Sequence, residues 1–174
     1  FKPPRNGNDV FFSILALCEA RRITVVNEHL VSYRRHRPGS LVSTLTAAPL
    51  SLLAAWVEVR QELIRRGIFP KKSFDRRAVG VVKQTFLRVK TWEAFEANFN
   101  YLQDKGLEEL GLEVQPEGYY PEASAVFLEK LIEGNSHALL LYLLQADHER
   151  LVELADTRVQ NRAEIKRLKK QIKN

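Results

Sequence analysis

Asp9 is the first residue in this chain whose type and position could do chemistry. It follows Asn8 and opens the apolar run Val10-Phe11-Phe12, so it falls in the first turn of a helix. Backbone N–H groups and the helix dipole hold a carboxylate there, where it can face a cleft as a general base. The same field lowers the pKa of such an acid, which limits its basicity unless burial offsets it. A plainer reading makes Asp9 an ordinary helix-start residue. The second group lies 27 positions after Asp9, where Tyr33-Arg34-Arg35-His36 closes an apolar stretch. Arg34 or Arg35 could bind a diphosphate through paired hydrogen bonds. His36 could ligate a metal or touch phosphate. The plainer alternative is a solvated basic loop. No second His, Cys or acid lies at metal-ligand spacing from His36, and His29, His137 and His148 form no zinc pattern.

The elements that must position these groups can be read along the chain. Asn6 or Asn8 caps a helix whose buried stripe is Phe11, Ile14, Leu15 and Cys18. The β-branched run Ile23-Thr24-Val25-Val26 predicts a strand, and His29–Tyr33 a second one. After the loop Arg37–Ser40, strand signals nearly vanish. Pro49 precedes a helix over Leu50–Arg66, with Leu52, Leu53, Trp56, Val57, Val59 and Leu63 inward and Gly67 closing it. A helix starting at Ser73 buries Phe74, Val81, Val82, Phe86 and Val89. Thr91 caps another, Trp92–Lys105, which Gly106 ends. Leu107–Tyr120 is turn-rich, with a short helix at Leu107–Leu110. A helix from Pro121 buries Val126, Phe127, Leu131 and Ile132 and stops at Gly134.

Ser136 then caps a long helix. Leu151, Leu154, Arg158, Asn161, Ile165, Leu168 and Ile172 alternate at three and four residues, a heptad with two polar members. At ~1.5 Å per residue such a helix runs about 55 Å, and this length implies a partner. Self-association through Ser136–Asn174 is therefore expected.

Composition narrows the function class. The 174 residues are 45% hydrophobic and 28% charged, as in a soluble globular protein. Of the net charge of +6, Glu164–Asn174 contributes most, with Lys166, Arg167, Lys169, Lys170 and Lys173 against Glu164. The rest is close to balanced, which argues against nucleic acid as a partner. The basic tail reads as a solvated helix end, or as a contact with an anionic membrane surface. Cys18, the single cysteine, is expected to be an inert buried thiol. No run is long enough to cross a membrane. The chain starts without Met and holds none, so either an internal fragment or a sequence lacking some residues is expected. There is no phosphate-cradling glycine loop, nucleophile elbow or Gly-Lys-Ser/Thr element.

Three runs carry a resemblance. Gly7-Asn8-Asp9-Val10-Phe11-Phe12, Ala20-Arg21-Arg22-Ile23-Thr24-Val25-Val26, and Leu30-Val31-Ser32-Tyr33-Arg34 through Ser40-Leu41 resemble the end of the catalytic domain of bacterial family 2 glycosyltransferases. The family's acidic dipeptide ends in the Asp that serves as base; Asn8-Asp9 stands at its place, with Asn for the commoner Glu. Its closing Tyr-Arg motif is matched by Tyr33-Arg34, and His36 stands where a His can complete the metal site, although many relatives carry Asn. Pro49-Leu50, Glu62–Gly67, Trp92–Phe95, Gly106-Leu107 and Leu110-Gly111 resemble the helical extension of a subset of these enzymes. The likeness extends over roughly residues 1–145.

The resemblance implies the end of a GT-A catalytic domain at 1–48, a helical bundle-like extension at 49–135, and a long helix at 136–174. The expected class is thus mainly α, with a short α/β remnant in front. It further implies inverting transfer from a nucleotide-diphosphate sugar to a hydroxyl of a cell-surface glycan, with Asp9 as base, Arg34 and Arg35 on the diphosphate, and His36 on a divalent cation (manganese or magnesium). The location implied is the cytoplasm, at the inner face of the membrane. The family's Asp-x-Asp occurs nowhere in the chain. The chain alone is therefore expected to be inactive and to bind no cation. The rival reading is a non-enzymatic helical interaction module.

Overall fold

The computed structural model describes residues 8–28, 30 and 50–149. They form α1 (Asn8–Glu19), α2 (Ser51–Arg65), α3 (Lys71–Arg88), α4 (Trp92–Tyr101), a π-helical turn (Leu102–Gly106), α5 (Leu107–Leu110), α6 (Glu122–Ile132) and α7 (136–149). The chain divides after Gly134 into two units. Among the described residues the protein is mainly helical and contains no strand.

The expected strand at Ile23–Val26 is not formed. Residues 22–27 have no regular structure, and Ile23, Val25 and Val26 are exposed. A β-branched run is stable as a strand only when a neighbour takes up its backbone groups. No such neighbour exists among the described residues. The expected strand His29–Tyr33 lies outside them, apart from Leu30, which is irregular and exposed.

The first unit is built by apolar stripes at helical spacing. α1 buries Phe11 and Leu15 and packs on α2. α2 buries Leu53, Ala55, Trp56, Val57, Val59 and Leu63. α3 buries Phe74, Ala78, Val79, Val81, Val82 and Phe86 and meets α2, α4 and α6. Aromatic rings link these helices: Trp56 lies 5.4 Å from Phe74, Phe86 4.9 Å from Phe95, and Phe127 6.2 Å from Phe86. Such pairs add to the burial of the rings themselves.

Local signals set most of the boundaries. α2 ends at Gly67, whose φ is +69°; the Gly67 N–H donates to Ile64 O and the Ile68 N–H to Leu63 O. Thr91 Oγ1 accepts from the Ala94 N–H at the start of α4. Two starts differ from expectation. α3 begins at Lys71, directly after Pro70, instead of at Ser73. α7 is capped by Asn135, whose Oδ1 accepts from the Ala138 N–H at 3.0 Å, and not by Ser136.

Gly106 does not end its helix. It keeps right-handed helical dihedrals (φ −64°, ψ −35°) and is buried, and the helical path continues through the π turn into α5. A Cβ on Gly106 would stand 2.7 Å from Cε1 of Tyr101, so the ring occupies the space that a side chain would need. The path stops at Gly111, at φ +65°. There the Gly111 N–H donates to Glu108 O and the Leu112 N–H to Leu107 O, both at 2.9 Å. A Cβ at Gly111 would meet Arg60 Nη2 at 2.5 Å. Gly111→Ala is therefore expected to lower unfolding stability by about 1–2 kcal/mol for the left-handed backbone alone, with displacement of Arg60 adding to it. Urea denaturation measures this; an unchanged midpoint refutes it.

Candidate functional site

Asp9 stands in the first turn of α1, and its side chain is exposed. Phe11 and Leu15 turn inward from the same helix and seat it on α2. An ion-pair chain adds a polar tie. Arg66 pairs with Glu19 of α1 and, at 2.6 Å, with Glu62 of α2, which Arg65 also contacts at 2.6 Å. Hydrogen bonds from Arg65 and then Arg66 hold the Glu62 carboxyl down at about 2, against an ordinary 4.5. With its folded pKa depressed, Glu62 contributes stability above its ordinary value and loses the contribution as pH falls through about 2. The pairs lie at the surface, so apolar contact rather than charge holds α1 in place. Asp9 forms no ion pair with a described residue. Arg34, Arg35 and His36 lie outside the described residues.

Among the described residues, no group of three or more His, Cys, Asp or Glu stands close enough to hold a metal ion. Of the expected site residues only the base, Asp9, is described, and the diphosphate and cation residues Arg34, Arg35 and His36 are not. Cys18 is half-buried on α1.

A polar cluster that sequence reasoning passed over is centred on Asp75 of α3, which is 1% exposed. Its Oδ2 accepts from Lys71 Nζ at 2.9 Å and from the Tyr119 hydroxyl at 2.7 Å. Its Oδ1 is buried with no hydrogen-bond partner among the described residues. Burial, and then the bond to Asp75, push the Tyr119 phenol up from its ordinary value, so it remains a donor. Arg76 donates to the carbonyls of Tyr119 and Gly118. Tyr120 donates to Glu113 O at 3.2 Å, and burial raises its phenol as well. Together these contacts fasten the turn around Gly118–Tyr120 onto the start of α3. The i,i+4 pair Lys71/Asp75 beside Phe74 was the available sequence signal.

A second buried polar group accompanies the π turn. Asn98 is fully buried on α4, and neither its Oδ1 nor its Nδ2 has a hydrogen-bond partner among the described residues. Tyr101 donates to Glu109 at 2.7 Å across the turn, and burial, followed by that contact, raises its phenol. Arg60 reaches the same end of the bundle, with Nη1 3.4 Å from Glu109 O and its guanidinium 5.6 Å from the centre of the Phe69 ring. These groups brace the bundle.

Compared with family models, curated proteins and solved structures, the chain matches none. Among the described residues, no helix is long and apolar enough to cross a membrane.

Proposed function

We propose that the chain is the C-terminal part of an inverting glycosyltransferase that moves a sugar from a nucleotide-diphosphate donor to a hydroxyl acceptor. The observation that supports this is the exposed carboxylate of Asp9 at the positive end of α1, within the run that resembles the family. In the intact enzyme Asp9 takes the acceptor proton as the acceptor oxygen attacks the anomeric carbon. The bond to the donor diphosphate breaks, and the configuration inverts. Arg34 and Arg35 pair with the departing diphosphate, and His36 stands beside it. A divalent cation, when bound, neutralises charge on that group. Catalysis belongs to the cytoplasmic face, where nucleotide sugar and glycan acceptor meet.

The test is a transfer assay on the full-length protein with a panel of radiolabelled nucleotide sugars and lipid-linked or soluble glycan acceptors. Donor-dependent glycan product supports the reading; absence of product with every donor refutes it. The described chain alone is expected to give none, because it has no Asp-x-Asp.

A second reading, a helical interaction module, is favoured by α7. Leu141 and Leu144 are 67% and 59% exposed there, and Leu144 is seven residues before Leu151, in the same heptad column. On this reading Ser136–Asn174 pairs with a second copy. Light scattering is expected to show a dimer that deletion of 151–174 converts to monomer; a monomeric parent chain excludes it. Either outcome leaves the transfer assay independent.

A further inference from the structure

α3 carries a concentration of positive charge that the balanced total of the chain conceals. Residues 71–90 contain Lys71, Lys72, Arg76, Arg77, Lys83, Arg88 and Lys90, and one acid, Asp75. That acid is buried and joined to Lys71. At 100° per residue, Lys72, Arg76 and Lys83 fall on one row of the helix, and Arg77 and Arg88 on a second. Between the rows run Ser73, Gly80, Gln84 and Leu87, the last 49% exposed. The buried residues Phe74, Ala78, Val82 and Phe86 occupy the opposite side.

Most cations of this segment have no acid partner among the described residues. Lys71 pairs with Asp75, and elsewhere in the unit Arg65, Arg66, Lys105 and Lys130 each pair with a carboxylate. Lys72, Arg76, Arg77, Arg88 and Lys90 form no ion pair with any described residue. Lys72 instead lies over the Tyr119 ring, and the half-buried Lys83 over Phe127. The face is about 27 Å long for 18 helical residues.

We propose that this face of α3 docks on an anionic phospholipid surface. Charge complementarity selects an anionic partner, and the layout selects a bilayer over nucleic acid. Phe127 is buried in the core and the Tyr119 ring lies under Lys72, so neither offers a platform for bases. Two rows of cations flanking a lone leucine suit a diffuse sheet of headgroups, into which Leu87 reaches. The inference stands apart from the sugar-transfer reading and from the basic tail.

Co-sedimentation of the full chain with phosphatidylcholine vesicles, with and without phosphatidylserine, tests it. Binding is expected to need phosphatidylserine and to weaken as salt rises. Each basic residue at such a surface contributes about fivefold, so Lys72→Gln, Arg77→Gln and Arg88→Gln together lower affinity by roughly 10²-fold. All three side chains are exposed, and the thermal midpoint of the triple variant is expected to stay at the parent value. A chain with Lys166, Lys169 and Lys170 changed to Gln keeps binding that still depends on the α3 cations. The proposal is overturned if the α3 variant binds as the parent does, if only the tail variant loses binding, if the parent ignores phosphatidylserine, or if it prefers an oligonucleotide to the vesicles.

Discussion

Asp9→Asn in the full-length protein is expected to lower kcat by about 10²–10⁴-fold while leaving nucleotide-sugar affinity within a few-fold of the parent. That range is what a positioned general base contributes. The substitution keeps the size of the side chain and its place in the first turn of α1, and removes only the ability to take a proton. Asn is also a favoured helix-start residue, so the fold loses little. Phe11 and Leu15, which seat α1 on α2, are untouched. The division between kcat and donor binding is the informative part. A base acts in the transition state, so its loss falls on turnover, whereas a residue that grips the donor raises KM. Single-turnover kinetics, with donor affinity measured separately by calorimetry, checks this. Full turnover in Asp9→Asn removes the carboxylate from the mechanism; a loss confined to donor affinity reassigns it to binding.

Phe127→Ala is expected to cost about 3–5 kcal/mol of unfolding free energy. Phe127 has no exposed surface, and its ring stands edge-on to Phe86 at 6.2 Å. Phe86 in turn packs on Phe95 at 4.9 Å, so one truncation loosens the junction of α3, α4 and α6. The Lys83 ammonium lies 5.8 Å from the Phe127 ring centre, and burial pulls its pKa down. With the ring gone, water reaches that ammonium and its pKa returns toward the ordinary lysine value. Urea denaturation gives the stability change. Phe12→Ala, at a residue 74% exposed, serves as the control and is expected to change stability by about 0.5 kcal/mol or less. A loss below about 1 kcal/mol at Phe127 would mean that the cavity closes by repacking.

What the sequence determined by itself was what neighbours in the chain decide. Thr91 before Trp92-Glu93, Gly67 after Arg66 and Gly134 after Glu133 mark helix ends through bonds that span a few residues. The apolar stripes of α2 and α3 were legible for the same reason, since a period of 3.6 needs no knowledge of what lies opposite. Asp9 was legible as a first-turn acid, though its exposure was not. Arg34, Arg35 and His36 remain readings of the sequence, outside the described residues.

Tertiary structure alone decided the rest. Gly106 and Gly111 are alike in sequence, yet one is a buried helical residue beneath Tyr101 and the other a left-handed terminus against Arg60. Which glycine stops the helix depends on side chains that arrive from elsewhere. Ile23–Val26 has strand propensity, but a strand needs a partner, and partnership is not a local property. Charge shows the contrast most plainly. Counted along the chain, the body balances; in space, Arg65, Arg66, Lys105 and Lys130 pair with carboxylates, while Lys72, Arg76, Arg77 and Arg88 of α3 form no ion pair with a described residue. A sum over residues discards position, and position determines which charges a partner meets.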